Sequence, residues 1–153
     1  ELLILDEPTT GLDPQARHLL WDRLYRLKLQ GVTLVITTHY MDEAEQLCDR
    51  LAVMDRGRFA AEDTPAALIA AHSTREVVEL RFPPDSYDDV AKQLDGVVER
   101  LEVLPDRLLL YTDDGDGTLA EVHTRGLHPD ATLVRRSTLE DVFLRLTGRT
   151  LVE

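Results

Sequence analysis

Two adjacent carboxylates, Asp6 and Glu7, close the apolar run Leu2-Leu3-Ile4-Leu5, and a histidine, His39, follows a second apolar, β-branched run from Val32 to Thr37. A short apolar run ending in two acids and Pro8 predicts a fully buried strand that delivers charge at its C-terminal end, where parallel sheets carry their chemistry. Neighbours on a strand point to opposite sides, so Asp6 and Glu7 would not duplicate one another. One can face a metal-phosphate site while the other faces an attacking water. Alone, such a pair reads as a solvated strand end, and a single His as a structural one. The spacing draws attention, because Thr10-Gly11-Leu12-Asp13 follows after two intervening residues and His39 comes 26 residues after Asp13, behind its own β-run. Phosphoryl transfer asks mainly for positioning and charge neutralisation, with a hard cation on oxygen ligands and a nearby carboxylate orienting water.

The flanking sequence supplies elements to hold these groups. Asp13-Pro14 reads as an N-cap followed by proline at the first helical position. Leu20, Leu24 and Leu27 lie on one face, and Gly31 falls just past the end. Residues 2–37 therefore predict a strand, helix, strand unit with parallel strands. After His39, Asp42, Glu43 and Glu45 crowd an expected first helical turn, where the helix dipole favours acids. Met41, Ala44, Leu47 and Cys48 fall on one face of that helix. A strand over 50–55, a turn at Arg56-Gly57-Arg58 and a short helix from Pro65 to Ala71 complete this part.

The pattern changes near His72-Ser73-Thr74. From Glu76 the expected order is a strand (77–82), a helix (87–94), strands at 97–103 and 107–112, a helix (119–125), a strand (131–135) and a last helix. That order suits a split βαβ sandwich of the ferredoxin-like kind. Ser137 with Glu140 has capping-box spacing, and Gly148 stops the last helix. The acidic run Asp113 to Asp116 reads as a solvated loop, since it lacks the ligand spacing and terminal Glu of a calcium loop.

Charge excludes one class of partner. The chain of 153 residues carries 17 basic and 29 acidic side chains, a formal charge of −12. Acidic groups outnumber basic ones in both halves, so neither offers the positive surface that a nucleic-acid backbone requires. The single cysteine, Cys48, permits no intrachain disulfide and suits a reducing compartment; it reads as a small buried apolar residue. No apolar run approaches the roughly 20 residues of a membrane span.

The block Leu2 to Asp13, with His39, Met41-Asp42-Glu43-Ala44-Glu45, Cys48-Asp49-Arg50 and Met54-Asp55-Arg56-Gly57, closely resembles the nucleotide-binding domain of ABC transporters. In that resemblance Leu2 to Glu7 is the Walker B strand, Thr10 to Asp13 the D-loop and His39 the switch histidine. It implies that Asp6 helps hold Mg²⁺ through water, Glu7 polarises the water attacking the γ-phosphate of ATP, and His39 contacts that phosphate. Gly11, Leu12 and Asp13 would lie at the seam with a second nucleotide-binding domain. Residues 73–153, ending in Ser137 to Gly148, resemble the tail of drug-exporting ABC ATPases of the daunorubicin-resistance type. The implied fold is α/β: an incomplete P-loop NTPase parallel sheet layer over 1–72, then a small α+β ferredoxin-like domain over 73–153 with a regulatory or dimer-stabilising role. The implied setting is cytoplasmic, peripheral on the inner face of the membrane through a permease subunit.

No Gly-x-x-x-x-Gly-Lys-Ser/Thr occurs, and neither Lys28 nor Lys92 follows a glycine. No phosphate-cradling loop is therefore present in these residues. Together with a start at Glu1 that reads as the inside of a domain, this leads to the expectation of a C-terminal portion of a longer ATPase, inactive by itself. Two other readings share these residues. One is a soluble ABC-type ATPase not coupled to transport; the other is a degenerate, non-enzymatic interaction module.

Overall fold

A computed structural model of the chain describes residues 1–148. The described residues divide into two compact units, Glu1–Leu68 together with 142–148, and Ile69–Asp141. The expected second domain, 73–153, runs past the described residues from 149 on.

In the first unit, β1 (Leu2–Asp6) and β2 (Thr33–Thr37) pair in parallel, with Leu2 opposite Thr33 and Asp6 opposite Thr37. The crossover between them is α1 (Pro14–Leu29). Asp13 caps it, its Oδ1 accepting from the Ala16 amide at 2.9 Å, and Pro14 opens it at a position where no N–H is needed. Gly31 takes φ +87° just after the helix, a left-handed conformation that glycine adopts without strain.

β1 is not buried as its composition predicts. Leu2 and Ile4 are 62 % and 68 % exposed, because β1 and β2 form a two-stranded sheet whose outer apolar side chains meet no further layer among the described residues. After α2 (Met41–Leu47) the chain forms a hairpin of β3 (Leu51–Asp55) and β4 (Arg58–Asp63). The second strand was not expected. Its sequence Arg-Phe-Ala-Ala-Glu-Asp does not alternate cleanly, and the hairpin is made instead by Arg56 and Gly57, both at positive φ as a two-residue turn demands. α3 (Pro65–His72) follows, capped by Thr64 Oγ1, which accepts from the Ala67 amide.

Two residues of this unit depart from expectation. Glu43, expected only as a first-turn acid favoured by the helix dipole, is 1 % exposed and accepts a 2.9 Å hydrogen bond from Trp21 Nε1. Cys48 is half-buried rather than buried and ends α2, its amide donating to the Ala44 carbonyl.

The second unit runs β5 (Glu76–Arg81), α4 (Tyr87–Gln93), β6 (Arg100–Leu104), β7 (Arg107–Thr112), α5 (Gly115–Thr124), β8 (Ala131–Arg136). Its sheet order is β6-β7-β5-β8 with every pair antiparallel, the topology of the split βαβ sandwich that the element order predicts. Val78, Leu80, Leu108 and Leu110 present one face of the central strands to Val90 and Leu94 around α4 and to Val122 of α5. On the opposite face Glu79 sits between Arg107 (3.1 Å) and Arg135 (2.6 Å), and Asp141 takes two bonds from Arg135 at 2.7 and 3.0 Å.

α5 begins four residues earlier than its apolar pattern predicts. Asp114 Oδ1 accepts from the Gly117 amide and Glu76 Oε2 from the Gly115 amide, so local capping starts the helix despite two glycines. The last helix, α6 (Leu139–Thr147), is capped one residue later than predicted: Asp141 Oδ2 accepts from the Thr138 amide, while Ser137 Oγ accepts from Ser73.

Candidate functional site

The parallel register brings the sequence-predicted residues to one end of the β1/β2 pair. Thr37 stands opposite Asp6, and its Oγ1 donates to Asp6 Oδ1. The Glu7 amide extends the ladder by one rung, donating to the Thr37 carbonyl at 2.9 Å and lying 3.2 Å from its Oγ1. There the extended conformation stops. Glu7 has φ +45°, in the left-handed region that non-glycine residues adopt at a cost of about 1 to 3 kcal/mol. Strand alternation therefore does not aim Glu7, as the sequence reading supposed; this turn does. The chain folds back at once, with the Thr10 amide on the Glu7 carbonyl (3.2 Å) and the Leu12 amide on the Thr9 carbonyl (3.1 Å).

The turn holds the Glu7 carboxylate between two partners. Thr10 Oγ1 donates to Oε2 at 3.2 Å, and His39 Nδ1 approaches Oε1 at 3.4 Å. Glu7 and His39 side chains are 48 % and 40 % exposed, so both stay open to water and to a ligand. His39 comes from the loop after β2, where the Tyr40 amide donates to Thr38 Oγ1 at 3.0 Å and α2 begins.

His39 thus meets Glu7, while Asp6 is held by Thr37 at the same end of the strand pair. Gly11, Leu12 and Asp13 occupy the loop leading into α1: Gly11 at φ +78°, Leu12 partly exposed, and the Asp13 carboxylate engaged as helix cap. Sequence reasoning did not give Thr37 and Thr10 their places. Thr37 could have been found from strand register alone, since parallel pairing of the two runs sets it beside Asp6; Thr10 depends on the turn at Glu7. The Asp6 carboxylate, with the Thr37 hydroxyl beside it, offers oxygen donors that fit a hard cation held by one carboxylate with water filling its other positions, as Mg²⁺ is commonly bound. Among the described residues no cluster of three or more His, Cys, Asp or Glu side chains forms a protein-only metal cage.

Comparison with known proteins bears out the resemblance to ABC transporter ATP-binding subunits. Residues 88–148 match the family model described as "Nodulation factor export protein NodI, C-terminal domain". The Nod factor export ATP-binding protein I of Paraburkholderia xenovorans (strain LB400) is 47 % identical over 153 residues, covering 97 % of this chain and 48 % of that protein. The protein of the same name from Mesorhizobium japonicum is 45 % identical over 154 residues, covering 100 % of this chain and 44 % of its own length. The chain therefore spans about half the length of the relatives it matches. A solved structure titled "Structure of ATP binding subunit of ABC transporter" aligns with 46 % of this chain and 29 % of its own, at 36 % identity and a TM-score of 0.42. No helix among the described residues is long and apolar enough to cross a membrane.

Proposed function

We propose that this chain is the C-terminal portion of the ATP-hydrolysing, energy-coupling subunit of an ABC exporter of drugs or other small molecules. The observation that carries the reading is the Glu7 carboxylate, set between His39 and Thr10 at the C-terminal end of a parallel strand pair with Asp6 beside it. In this reading Glu7 orients the attacking water, and His39 contacts the γ-phosphate of ATP. Asp6, fixed by the Thr37 hydroxyl, holds Mg²⁺ through water. Bound Mg²⁺ neutralises phosphate charge. The nucleotide's phosphates take their cradle from residues outside this chain, which has no P-loop lysine, so the 153 residues alone turn over no ATP.

Residues 1–72 belong in this proposal to the nucleotide-binding domain. Residues 73–153 form a regulatory or dimerisation domain. Gly11, Leu12 and Asp13 face a second nucleotide-binding domain, and a membrane-embedded permease keeps the subunit on the inner face of the cell membrane. The relatives' names, which attach to Nod factor export, support export as the direction.

The test is Glu7→Gln in the longer protein that joins this chain to a P-loop-bearing half. Turnover should fall by about 10² to 10⁴, the range of a lost general-base contribution, with ATP retained on the protein. Turnover near wild type would overturn the role of Glu7.

A further inference from the structure

His39 lies in a loop, and nothing in its backbone fixes the plane of its ring. Its neighbours do. The Tyr40 ring lies 4.1 Å from the imidazole, centroid to centroid, tilted by 38°. Over Tyr40 sits the guanidinium of Arg17, 4.4 Å from the ring centroid, with Nη1 3.8 Å from Asp42 Oδ2. Arg17 Nε is buried with no hydrogen-bond partner among the described residues, so stacking rather than hydrogen bonding seats this end of the side chain. Trp21, one turn further along α1 on the same face, donates to the buried Glu43. The segment from His39 to Glu43 is thus gripped at two points by a single helix face.

We propose that Arg17 and Tyr40 are positioning residues for His39. Arg17 clamps the Tyr40 ring by a cation–π contact, and that ring in turn sets the imidazole plane so that Nδ1 meets Glu7. The other nitrogen, Nε2, is then the one left for a phosphate oxygen. This inference deepens the proposed role of His39 and rests on it for its functional consequence, although the geometry can be tested separately. Arg17 touches none of the reacting groups itself. Its effect passes through Tyr40, and a lysine, which stacks less extensively than the flat guanidinium, should replace it only in part.

The experiment is NMR of the 153-residue chain, labelled uniformly with nitrogen-15 and carbon-13 so that both the His39 and Tyr40 rings and the backbone amides are read. In the wild type, cross-relaxation between the His39 and Tyr40 rings should be strong, and Tyr40→Phe should preserve it because the ring stays. Arg17→Gln should weaken it and shift the His39 ring signals, with Arg17→Lys in between, while the amide signals of Leu24 and Ala44 stay in place as evidence that the helices still pack. Absence of the His39–Tyr40 contact in the wild type, or an Arg17→Gln spectrum with unchanged His39 signals, overturns the proposal.

The same substitution in the longer ATPase separates geometry from function. Turnover should fall about ten- to hundredfold, as for a catalytic group misplaced by a fraction of an ångström to an ångström, with partial rescue by Arg17→Lys. If the ring contact is lost in Arg17→Gln while turnover holds, the positioning stands and the catalytic reading of His39 fails.

Discussion

Replacing Asp141 by Asn should loosen the second unit by an amount that can be worked out from its contacts. Asp141 is 2 % exposed, takes both bonds of a bidentate pair from Arg135, and accepts from Tyr111 Oη (3.1 Å) and the Thr138 amide (2.8 Å). Breaking one side of a buried pair costs about 3 to 5 kcal/mol, since the other charge is left behind. Arg135 keeps Glu79 at 2.6 Å and the Arg136 carbonyl at 3.1 Å, and Asn retains an acceptor for Thr138, so the loss should sit at the low end, about 3 kcal/mol.

The assay is native-state hydrogen exchange at amides of β5 and β7, with urea unfolding alongside. Removing both charges, as in Arg135→Met with Asp141→Leu, should not recover the loss, because it takes the 2.6 Å partner from the nearly buried Glu79 and the acceptor from Tyr111 Oη and the Thr138 amide. pH adds an independent check. Burial alone would raise the Asp141 carboxyl, but hydrogen bonds from Arg135 and the Thr138 amide hold it below the ordinary range. A group lowered in the folded state stabilises fully above its unfolded value, about 3.9 for Asp, and loses that contribution as pH falls through the folded value. The gap between wild type and Asp141→Asn should therefore be full at pH 7 and close in strong acid. A loss below about 1 kcal/mol at pH 7, or a gap that does not narrow in acid, would refute this account of the network.

Two further outcomes follow from the same packing. Residues 1–72 should be less stable than residues 73–153, so amides of β1 and β2 should exchange before those of β5 and β7; the opposite order would contradict the exposed β1/β2 face. Gly115→Ala, ordinarily a gain of up to about 1 kcal/mol in a helix, should instead lower the urea midpoint. A Cβ there would fall 2.3 Å from Val134 Cγ1 and 2.9 Å from Glu76 Oε2, an overpacking cost of about 1 to 3 kcal/mol.

Local rules carried most of the secondary structure. Asp13-Pro14 started α1, Gly31 followed its end, and the order of elements after Glu76 was enough to foresee the split βαβ sheet. They failed where a turn or a cap outweighed periodicity. β4 exists because Arg56 and Gly57 make a hairpin turn, and α5 starts early because Asp114 and Glu76 cap its amides.

The candidate site divides the same way. Residue types and order put Asp6 and His39 at matching strand ends, because a parallel strand, helix, strand unit returns its second strand beside the first, and the family resemblance supplied the expectation that they act with Glu7. Only the tertiary structure decided how they meet. Register set Thr37 on Asp6, a left-handed turn swung Glu7 out of its strand, and Arg17 from the crossover helix came to rest over the tyrosine beside His39. Those contacts join residues about 20 to 30 positions apart, where no periodicity in the chain relates one side chain to another. What brings them together is the packing of a helix against the strands it connects.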